Sequence, residues 1–309
     1  MTYEAGDNFV ANLTAEHRTV ESLSFCDGPC SITSLVTQVP EAVKKVHELV
    51  ANNTAYKDGY IFIGHSLGGM IARAVIEEMD DHKVKRFISL AGLQNGQFIG
   101  PGNVEESFAN GALLNFNVSE TLFNYSAYGP EDYHGKLQKD LALYTIENPD
   151  SQYLYAHFNT YRWPQRGSFS TTSLFLPVYN NFNRCLPGNS QCMFDQKRRK
   201  ANFLKLEEAH FFASSADEII RPWQTSIFGG YSEVDTIEEI ETEFNNLTVV
   251  RLNETLEYTS DTFGLKTLDE RGGLFIHEVP NISHLCWVQD EDSCAWATVY
   301  DQYIYPTLV

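Results

Sequence analysis

The sequence is short of positive charge. Its 309 residues include 22 Lys and Arg against 41 Asp and Glu, which gives a formal net charge of -19. Because binding to phosphate groups needs clustered basic side chains, this balance argues against a nucleic acid partner and against an anionic membrane surface. Solubility is the simplest role for the negative charge. The chain is nevertheless 43% hydrophobic, so it can bury a sizeable core.

Long hydrophobic runs are also absent. No stretch reaches the roughly 18 consecutive apolar residues that a membrane-spanning helix needs, so we expect no membrane span. Residues 1–5 contain neither the basic part nor the apolar part of a secretory signal peptide. We therefore expect the start of the chain to be incomplete.

The cysteines lack the close C-x-x-C spacing that structural zinc sites use. They fall instead in three near-neighbour pairs: Cys26 with Cys30, Cys185 with Cys192, and Cys286 with Cys294. This favours local disulfides over zinc, although six cysteines allow many pairings and the sequence does not choose among them.

Acceptor sequences for N-glycosylation are frequent. Seven Asn-x-Ser/Thr sequons begin at Asn12, Asn52, Asn117, Asn124, Asn246, Asn253 and Asn281. Sequons are modified only in proteins that enter the secretory pathway, which is also where disulfides persist. Together with the paired cysteines, they predict a secreted or lysosomal protein.

The strongest functional signal is a G-x-S-x-G motif, Gly64-His65-Ser66-Leu67-Gly68. The apolar run at residues 60–63 predicts a buried strand before it, and apolar residues at helical spacing over 70–79 predict a helix after it. We expect the two flanking glycines to permit a sharp strand-to-helix turn that a Cβ would obstruct. Ser66 is then a candidate nucleophile, and the amide of Leu67 a candidate oxyanion donor. A glycine-rich turn with a bland serine is the structural alternative.

Two later loops supply partners for Ser66. Residues 209–213 predict a core strand, and Asp217 lies in the loop after it, with Glu218 as the substitute acid. Residues 273–279 predict the last strand, and His284 lies in the loop beyond it. The order Ser, Asp, His along the chain is that of α/β-hydrolases. We expect His277, inside the strand, and His65, beside the nucleophile, to have packing or hydrogen-bonding roles instead.

Alternating helix and strand patterns predict a single doubly wound α/β domain over residues 1–309, with a mostly parallel sheet. The predicted elements outside the motif are helices at 6–17, 39–52 and within 287–309, and strands at 19–25 and 84–90. Residues 94–202 break this pattern and are interpreted as an inserted cap.

The cap is rich in aromatic residues, which could line a groove for a long acyl chain or simply pack the cap itself; packing is the better interpretation for any one of them. They are Phe98, Phe108, Phe116, Phe123, Tyr125, Tyr153, Tyr155, Phe158, Tyr161, Trp163, Phe169, Phe175, Tyr179 and Phe182.

Taken together, these residues resemble the palmitoyl-protein thioesterase family of α/β-hydrolases, nearly from end to end. The resemblance lies in GHSLGG (64–69), FISLAGLQNG (87–96), YRWP (161–164), Asp217 with Pro222 and Phe228-Gly229, ETLEYTSD (254–261) with residues 264–266 and 269, and SHL (283–285). It implies Ser66 as the nucleophile, His284 as the base and Asp217 as the acid that orients it. It further implies a long-chain acyl thioester on a cysteine of a protein or peptide as substrate, a lysosomal or secreted location, and no metal or cofactor.

The chain departs from the family pattern at its start. Family members open with a strand and an HG-containing loop that supplies a second oxyanion amide, whereas this chain begins near the first helix. We expect the first strand and the oxyanion loop to be missing, at a cost on the order of 10²–10³ in rate. Leu67 stands where family members have glutamine, but that position contributes its main-chain amide, which leucine also supplies.

Two other functions remain open at this point. A lipase or carboxylesterase would use the same three residues on oxygen esters. A non-catalytic acyl-binding protein would retain the groove with an incomplete oxyanion hole. The preferred acyl length, the protein substrates and the oligomeric state do not follow from the sequence.

Overall fold

A computed structural model describes residues 6–102, 104–105, 118–292 and 294–309, and a parallel sheet lies at its centre. The strands are β1 (Tyr60–His65), β2 (Val84–Leu90), β3 (Glu208–Ala213), β4 (Gly230–Tyr231), β5 (Val249–Val250) and β6 (Leu274–Glu278). Strands β1, β2, β3 and β6 pair in that order, all parallel, while β4 and β5 form a separate antiparallel pair. The strands predicted at residues 60–63, 84–90, 209–213 and 273–279 are confirmed.

Helices connect the strands and cover the sheet. They are α1 (Asp7–Ala15), α2 (Leu35–Asn52), α3 (Leu67–Glu78), α4 (Lys136–Glu147), α5 (Ala156–Thr160), α6 (Arg166–Thr172), α7 (Leu176–Tyr179), α8 (Ser190–Phe203), α9 (Glu239–Thr242), α10 (Leu256–Thr259), α11 (Leu265–Glu270) and α12 (Trp296–Val299). A π-helical turn, Tyr300–Ile304, continues α12 toward the end of the chain. The predicted first and last helices are therefore confirmed.

The two faces of the sheet are both buried. Successive side chains of a strand point to opposite faces, so neighbouring residues enter different clusters. Phe87 of β2 packs in a cluster with Phe203 of α8, whereas Ile88 packs in another with Phe9 of α1 and Trp296 of α12. Since helices lie on both sides, the sheet is doubly wound, as predicted.

The strand predicted at residues 19–25 is wrong. Residues 18–24 are irregular, although their alternating side chains are partly buried. Val20 packs against the cluster that contains α1, while Leu23 and Phe25 pack against the cluster that contains α2. The alternation of side chains therefore reflects contact with two hydrophobic clusters. The segment is not a strand, because no described strand pairs with it.

Helix α2 begins four residues earlier than the predicted start at Val39. Ser34 caps it, since its Oγ accepts a hydrogen bond from the amide of Val36 at 3.2 Å. Asn159 holds this end of the helix in turn, because its Oδ1 accepts from Ser34 Oγ at 3.0 Å and from the Leu35 amide at 2.7 Å. As a result, Pro40 lies inside the helix rather than in its first turn.

The aromatic residues of segment 94–202 serve mainly as packing. Most of those described are buried and belong to the same hydrophobic cluster as α2 and α3: Phe98, Phe123, Tyr125, Phe158, Tyr161, Trp163, Phe169, Phe175 and Tyr179. Tyr153 is 52% exposed. Phe108 and Phe116 lie outside the described residues. The interpretation of 94–202 as a separate cap stays a prediction.

All six cysteines form disulfides between near neighbours: Cys26–Cys30, Cys185–Cys192 and Cys286–Cys294. Five sequon asparagines have exposed side chains and Asn12 is half-buried, while Asn117 lies outside the described residues. Within the described ranges, we find no helix with both the length and the apolar character needed to cross a membrane.

A buried arginine ties α3 to the segment after β2. The Arg73 side chain is fully buried and forms an ion pair with Glu77 at 3.1 Å. It also donates to the Oε1 atom of Gln94 and the Oδ1 atom of Asn180, each at 2.8 Å. Every bond of this network joins the helix that follows Ser66 either to itself or to residues 94–202.

Replacing Arg73 by methionine is expected to lower the free energy of unfolding by about 3–5 kcal/mol, because Glu77, Gln94 and Asn180 would all remain buried without this hydrogen-bond donor. Urea unfolding followed by circular dichroism measures this change. The exposed pair of Arg166 and Glu233 provides the control, since Arg166→Met should cost less than about 1 kcal/mol. Equal effects of the two substitutions would contradict the role given to Arg73.

Candidate active site

Ser66 lies at a strained turn between β1 and α3. Its backbone has φ 54° and ψ -130°, a conformation that non-glycine residues rarely adopt and that costs free energy. Such strain persists where the surrounding structure enforces it, and here β1 ends at the residue before Ser66 and α3 begins at the residue after it. The predicted strand, turn and helix are confirmed.

The glycines of the motif differ in what they permit. A Cβ on Gly64 would lie 2.6 Å from the carbonyl oxygen of Gly68, so only glycine fits at position 64. A Cβ on Gly68 itself would meet no atom within 4 Å, so the prediction that both flanking glycines are required is wrong for this residue. Gly69 is the second constrained position, because its Cβ would lie 2.9 Å from the Cα of Gly92.

Three predicted site residues form a continuous hydrogen-bonded chain. The Nε2 atom of His284 lies 2.9 Å from the Oγ of Ser66, and its Nδ1 lies 2.9 Å from the Oδ2 of Asp217. All three side chains are buried, with 8% of Ser66, 3% of His284 and 2% of Asp217 exposed. With Nδ1–H donating to the carboxylate, Nε2 is free to accept the Ser66 hydroxyl proton. An imidazole placed in this way can activate a hydroxyl as a nucleophile.

Asp217 is held in place from its own loop. Its Oδ1 accepts hydrogen bonds from the amides of Ile219 and Ile220, both at 2.9 Å, and Arg221 donates to its main-chain carbonyl. Burial would raise the pKa of Asp217, but the hydrogen bond from His284 and those two amides outweigh burial, so the pKa lies below its usual value. Asp217 therefore stays ionised at neutral pH.

The parallel sheet brings the three residues together. Ser66 follows β1, Asp217 follows β3 and His284 follows β6, and the carboxyl ends of these parallel strands lie along one edge of the sheet. A buried serine, Ser214, then joins the last two loops. Its Oγ accepts from the amides of Ala216 and Ile282, each at 3.1 Å. The sequence analysis missed Ser214, since nothing local distinguishes it from the neighbouring Ser215.

Glu218 and His277, the other candidates for acid and base, lie outside the hydrogen-bonded chain of Ser66, His284 and Asp217. In the described part of the chain, Glu218 makes no hydrogen bond to the His284 ring. Its Oε2 atom accepts a hydrogen bond from the main-chain amide of His284 at 3.0 Å. His277 lies within β6, where it stacks on Phe212 at 4.0 Å and contacts His210 through a 3.1 Å hydrogen bond. Burial and the positive charge of a protonated His210 lower the pKa of His277 to about 4. The predicted packing role of His277 agrees with this placement.

Leu67 is the first residue of α3, so its amide precedes the intrahelical hydrogen bonds. The positive end of the helix dipole adds to the attraction for a negative charge beside Ser66. The first pairing at this end is the bond from the Gly69 amide to the Ser66 carbonyl at 2.9 Å. The Leu67 amide can thus donate to an oxygen bound next to Ser66.

A cleft that is open to solvent lies near the segments that follow β2 and β3. Four aromatic residues of the predicted groove line it: Phe98, Trp163, Phe169 and Phe182. Arg162, Arg166 and Glu233 also line it, so its wall is mixed rather than apolar. None of its lining residues is Ser66, Asp217 or His284, and the substrate-binding residues therefore remain unassigned.

The described part of the chain contains no group of three or more His, Cys, Asp or Glu side chains that could hold a metal ion. The arrangement around Ser66 consists of a hydroxyl, an imidazole, a carboxylate and the amide at the start of α3. A set of groups of this kind can transfer an acyl group through a serine nucleophile.

Comparisons with known proteins identify the family of this chain. The model of the palmitoyl protein thioesterase family matches residues 5–284. Lysosomal thioesterase PPT2-B of Xenopus laevis is 30% identical over 275 residues, which cover 89% of this chain and 76% of that protein. The PPT2 homolog of Drosophila melanogaster is 29% identical, covering 88% of this chain and 74% of that protein. Human lysosomal thioesterase PPT2 is 28% identical, covering 96% of this chain and 80% of that protein.

The family match and the doubly wound parallel sheet confirm the predicted α/β-hydrolase fold. The sequence match spans the strand, turn and helix around Ser66 and ends at His284, so it includes all three residues of the hydrogen-bonded chain. This chain belongs to the palmitoyl protein thioesterase family.

Proposed function

We propose that this protein hydrolyses long-chain fatty acyl thioesters on cysteine residues of proteins or peptides, with Ser66 as nucleophile, His284 as base and Asp217 as orienting acid. The observation that carries the proposal is the unbroken chain of 2.9 Å contacts from Ser66 through His284 to Asp217. Its position on a strained strand-to-helix turn, in a member of this family, supports the same reading.

The first half of the reaction forms an acyl-enzyme. His284 Nε2 takes the proton from Ser66 Oγ, and the oxygen attacks the thioester carbonyl. Asp217, ionised and bonded to Nδ1, stabilises the imidazolium that results. The carbon–sulfur bond then breaks, His284 returns its proton to the departing thiolate, and the acyl group remains on Ser66 as an ester.

The second half releases the fatty acid. His284 takes a proton from a water molecule, whose oxygen attacks the acyl carbonyl of Ser66. The ester bond breaks and the proton passes from His284 to Ser66 Oγ, which restores the starting state. In both halves the Leu67 amide and the α3 dipole stabilise the negative oxygen of the tetrahedral intermediate. The reaction consumes only water, so it requires no cofactor.

We also propose a lysosomal or extracellular location. Several relatives are named as lysosomal thioesterases. Disulfides of the kind found in all three cysteine pairs persist in oxidising compartments, and exposed sequons are available for glycosylation there.

A comparison of matched substrates tests the choice of thioester over oxygen ester. We expect kcat/KM for a palmitoyl thioester to exceed kcat/KM for the palmitoyl oxygen ester with the same leaving-group skeleton, because a thiolate is the more readily expelled group. Both rates are measured on the secreted, glycosylated protein. A higher value for the oxygen ester would favour a lipase or carboxylesterase.

Labelling with a fluorophosphonate probe separates an enzyme from an acyl-binding protein. Covalent modification of Ser66 requires the activation by His284 described above. A folded protein that binds palmitate but leaves Ser66 unlabelled would contradict the proposed hydrolase.

A further inference from the structure

The main chain of His284 is fastened on both sides. Its amide donates to the Oε2 atom of Glu218 at 3.0 Å, and its carbonyl oxygen lies 2.8 Å from the Nε2 atom of His65. Together with the contacts of its ring to Ser66 and Asp217, His284 is held at four points. Two of these points act on the backbone rather than on the ring.

The bond from His65 has a defined direction. Burial, together with the positive charge of a protonated His284 nearby, lowers the pKa of His65 to about 3, so His65 is neutral at neutral pH. A carbonyl oxygen only accepts, so the single ring proton of His65 must be on Nε2. Its Nδ1 is buried and makes no hydrogen bond. Within the described part of the chain, the His65 ring therefore donates to the His284 carbonyl alone.

The loop that carries His284 needs such restraints. After β6 ends at Glu278, Asn281 has a positive φ of 61°, and the chain enters a short 3₁₀ turn, Leu285–Trp287, directly after His284. Among the described residues, one further hydrogen bond joins this loop to the Asp217 loop, the bond from the Ile282 amide to Ser214. Displacing a reacting group by about 1 Å can cost on the order of 100-fold in rate.

We propose that His65 and Glu218 are positioning residues, which fix the backbone of His284 from two sides so that its ring spans Ser66 and Asp217. This inference rests on the proposed function, because it assigns both residues to the reaction of Ser66. His65 acts from β1, which also delivers Ser66, and Glu218 acts from the loop that delivers Asp217. Ser66 and Asp217, which contact the ring of His284, are thus each adjacent in sequence to a residue that hydrogen-bonds to the His284 main chain.

Two matched pairs of variants test the proposal. His65→Leu removes the donor, whereas His65→Gln offers an amide N–H in its place. Glu218→Ala removes the acceptor, whereas Glu218→Gln retains a side-chain oxygen. We expect the Leu and Ala variants to lose about 10-fold to 100-fold in kcat with KM nearly unchanged, and the two Gln variants to recover most of that loss.

The rate of fluorophosphonate labelling of Ser66 is measured in parallel and should follow kcat, because it depends on His284 but not on the acyl chain. His277→Gln, a histidine substitution in β6 away from the site, is the control and should match the wild type. Equal kcat for the Leu and Gln variants at position 65, whether high or low, would overturn the role of His65. If His65→Leu fails to fold, the Glu218 pair decides the proposal by the same criterion.

The design separates this inference from the proposed function. A wild-type protein that labels at Ser66 but hydrolyses no thioester would contradict the substrate assignment, and the labelling rates would still decide whether His65 and Glu218 position His284.

Discussion

Replacing Ser66 with alanine is expected to lower kcat for palmitoyl thioester hydrolysis on the order of 10⁶-fold, to near the background rate. The variant is expected to keep the fold but lacks the oxygen that His284 is positioned to deprotonate, so no acyl-enzyme can form. Steady-state release of the free thiol, followed with a thiol-reactive dye, measures the loss.

Ser226→Ala is the matched control for this substitution. Ser226 is also a buried serine, 1% exposed, and its Oγ makes no hydrogen bond to any residue that the structure describes. Its removal should leave the rate within about twofold of the wild type, since no group of the site depends on it. Substantial thioesterase activity in folded Ser66→Ala protein would exclude Ser66 as the nucleophile.

Asp217→Asn is expected to have the second largest effect, a fall in kcat on the order of 10⁴-fold. An asparagine of the same shape cannot neutralise the imidazolium of His284, and its amide group can present a donor to Nδ1, which would favour the wrong tautomer. Measurements of kcat and KM should show the loss in kcat, because Asp217 lies behind His284 and not against the thioester.

The exposed residue Asp150 provides the control, and Asp150→Asn should leave kcat unchanged. If Asp217→Asn retained activity while the Glu218 variants, Gln included, lost it by the same 10⁴-fold, then Glu218 would be the orienting acid. The loss of one hydrogen bond to the main chain of His284 and the loss of the charge partner of its ring differ enough in size to distinguish these roles.

The local parts of the site were predictable from the sequence. Ser66 is the candidate nucleophile because it lies in a G-x-S-x-G motif, and the residues on either side of that motif predict the strand before it and the helix after it. Asp217 and His284 are identified by chain order and by their positions just after predicted strands, because a parallel sheet gathers such loops at one edge. The structure brings these three side chains into contact, as this pattern predicts.

Contacts between residues far apart in the chain could not be predicted in this way. The bond from His65 to His284 spans 219 positions, and the sequence indicated only that His65 would pack or form a hydrogen bond. Likewise, the start of α2 depends on Asn159, 124 positions from Leu35. The strand predicted at residues 19–25 failed because alternating side chains can also bridge two hydrophobic clusters.

Glycine and aromatic residues show the same limit. The need for glycine at position 64 depends on the approach of a carbonyl one turn away, and the freedom at Gly68 depends on empty space that no pattern records. The aromatic residues of 94–202 allowed either a groove or packing, with packing the better interpretation for any one of them, and burial in the hydrophobic cluster of α2 and α3 accounts for most of those described. The sequence composition therefore does not predict which atoms surround a glycine or an aromatic side chain.

The central claim is that Ser66 carries the acyl group during turnover, and mass spectrometry of the acid-quenched enzyme tests it most directly. The wild-type protein is mixed with excess palmitoyl thioester, quenched during turnover and digested. The account predicts one palmitoyl group on the peptide that contains Ser66, and none in the Ser66→Ala protein. Turnover with no acylated peptide, or with the acyl group on another residue, would contradict it.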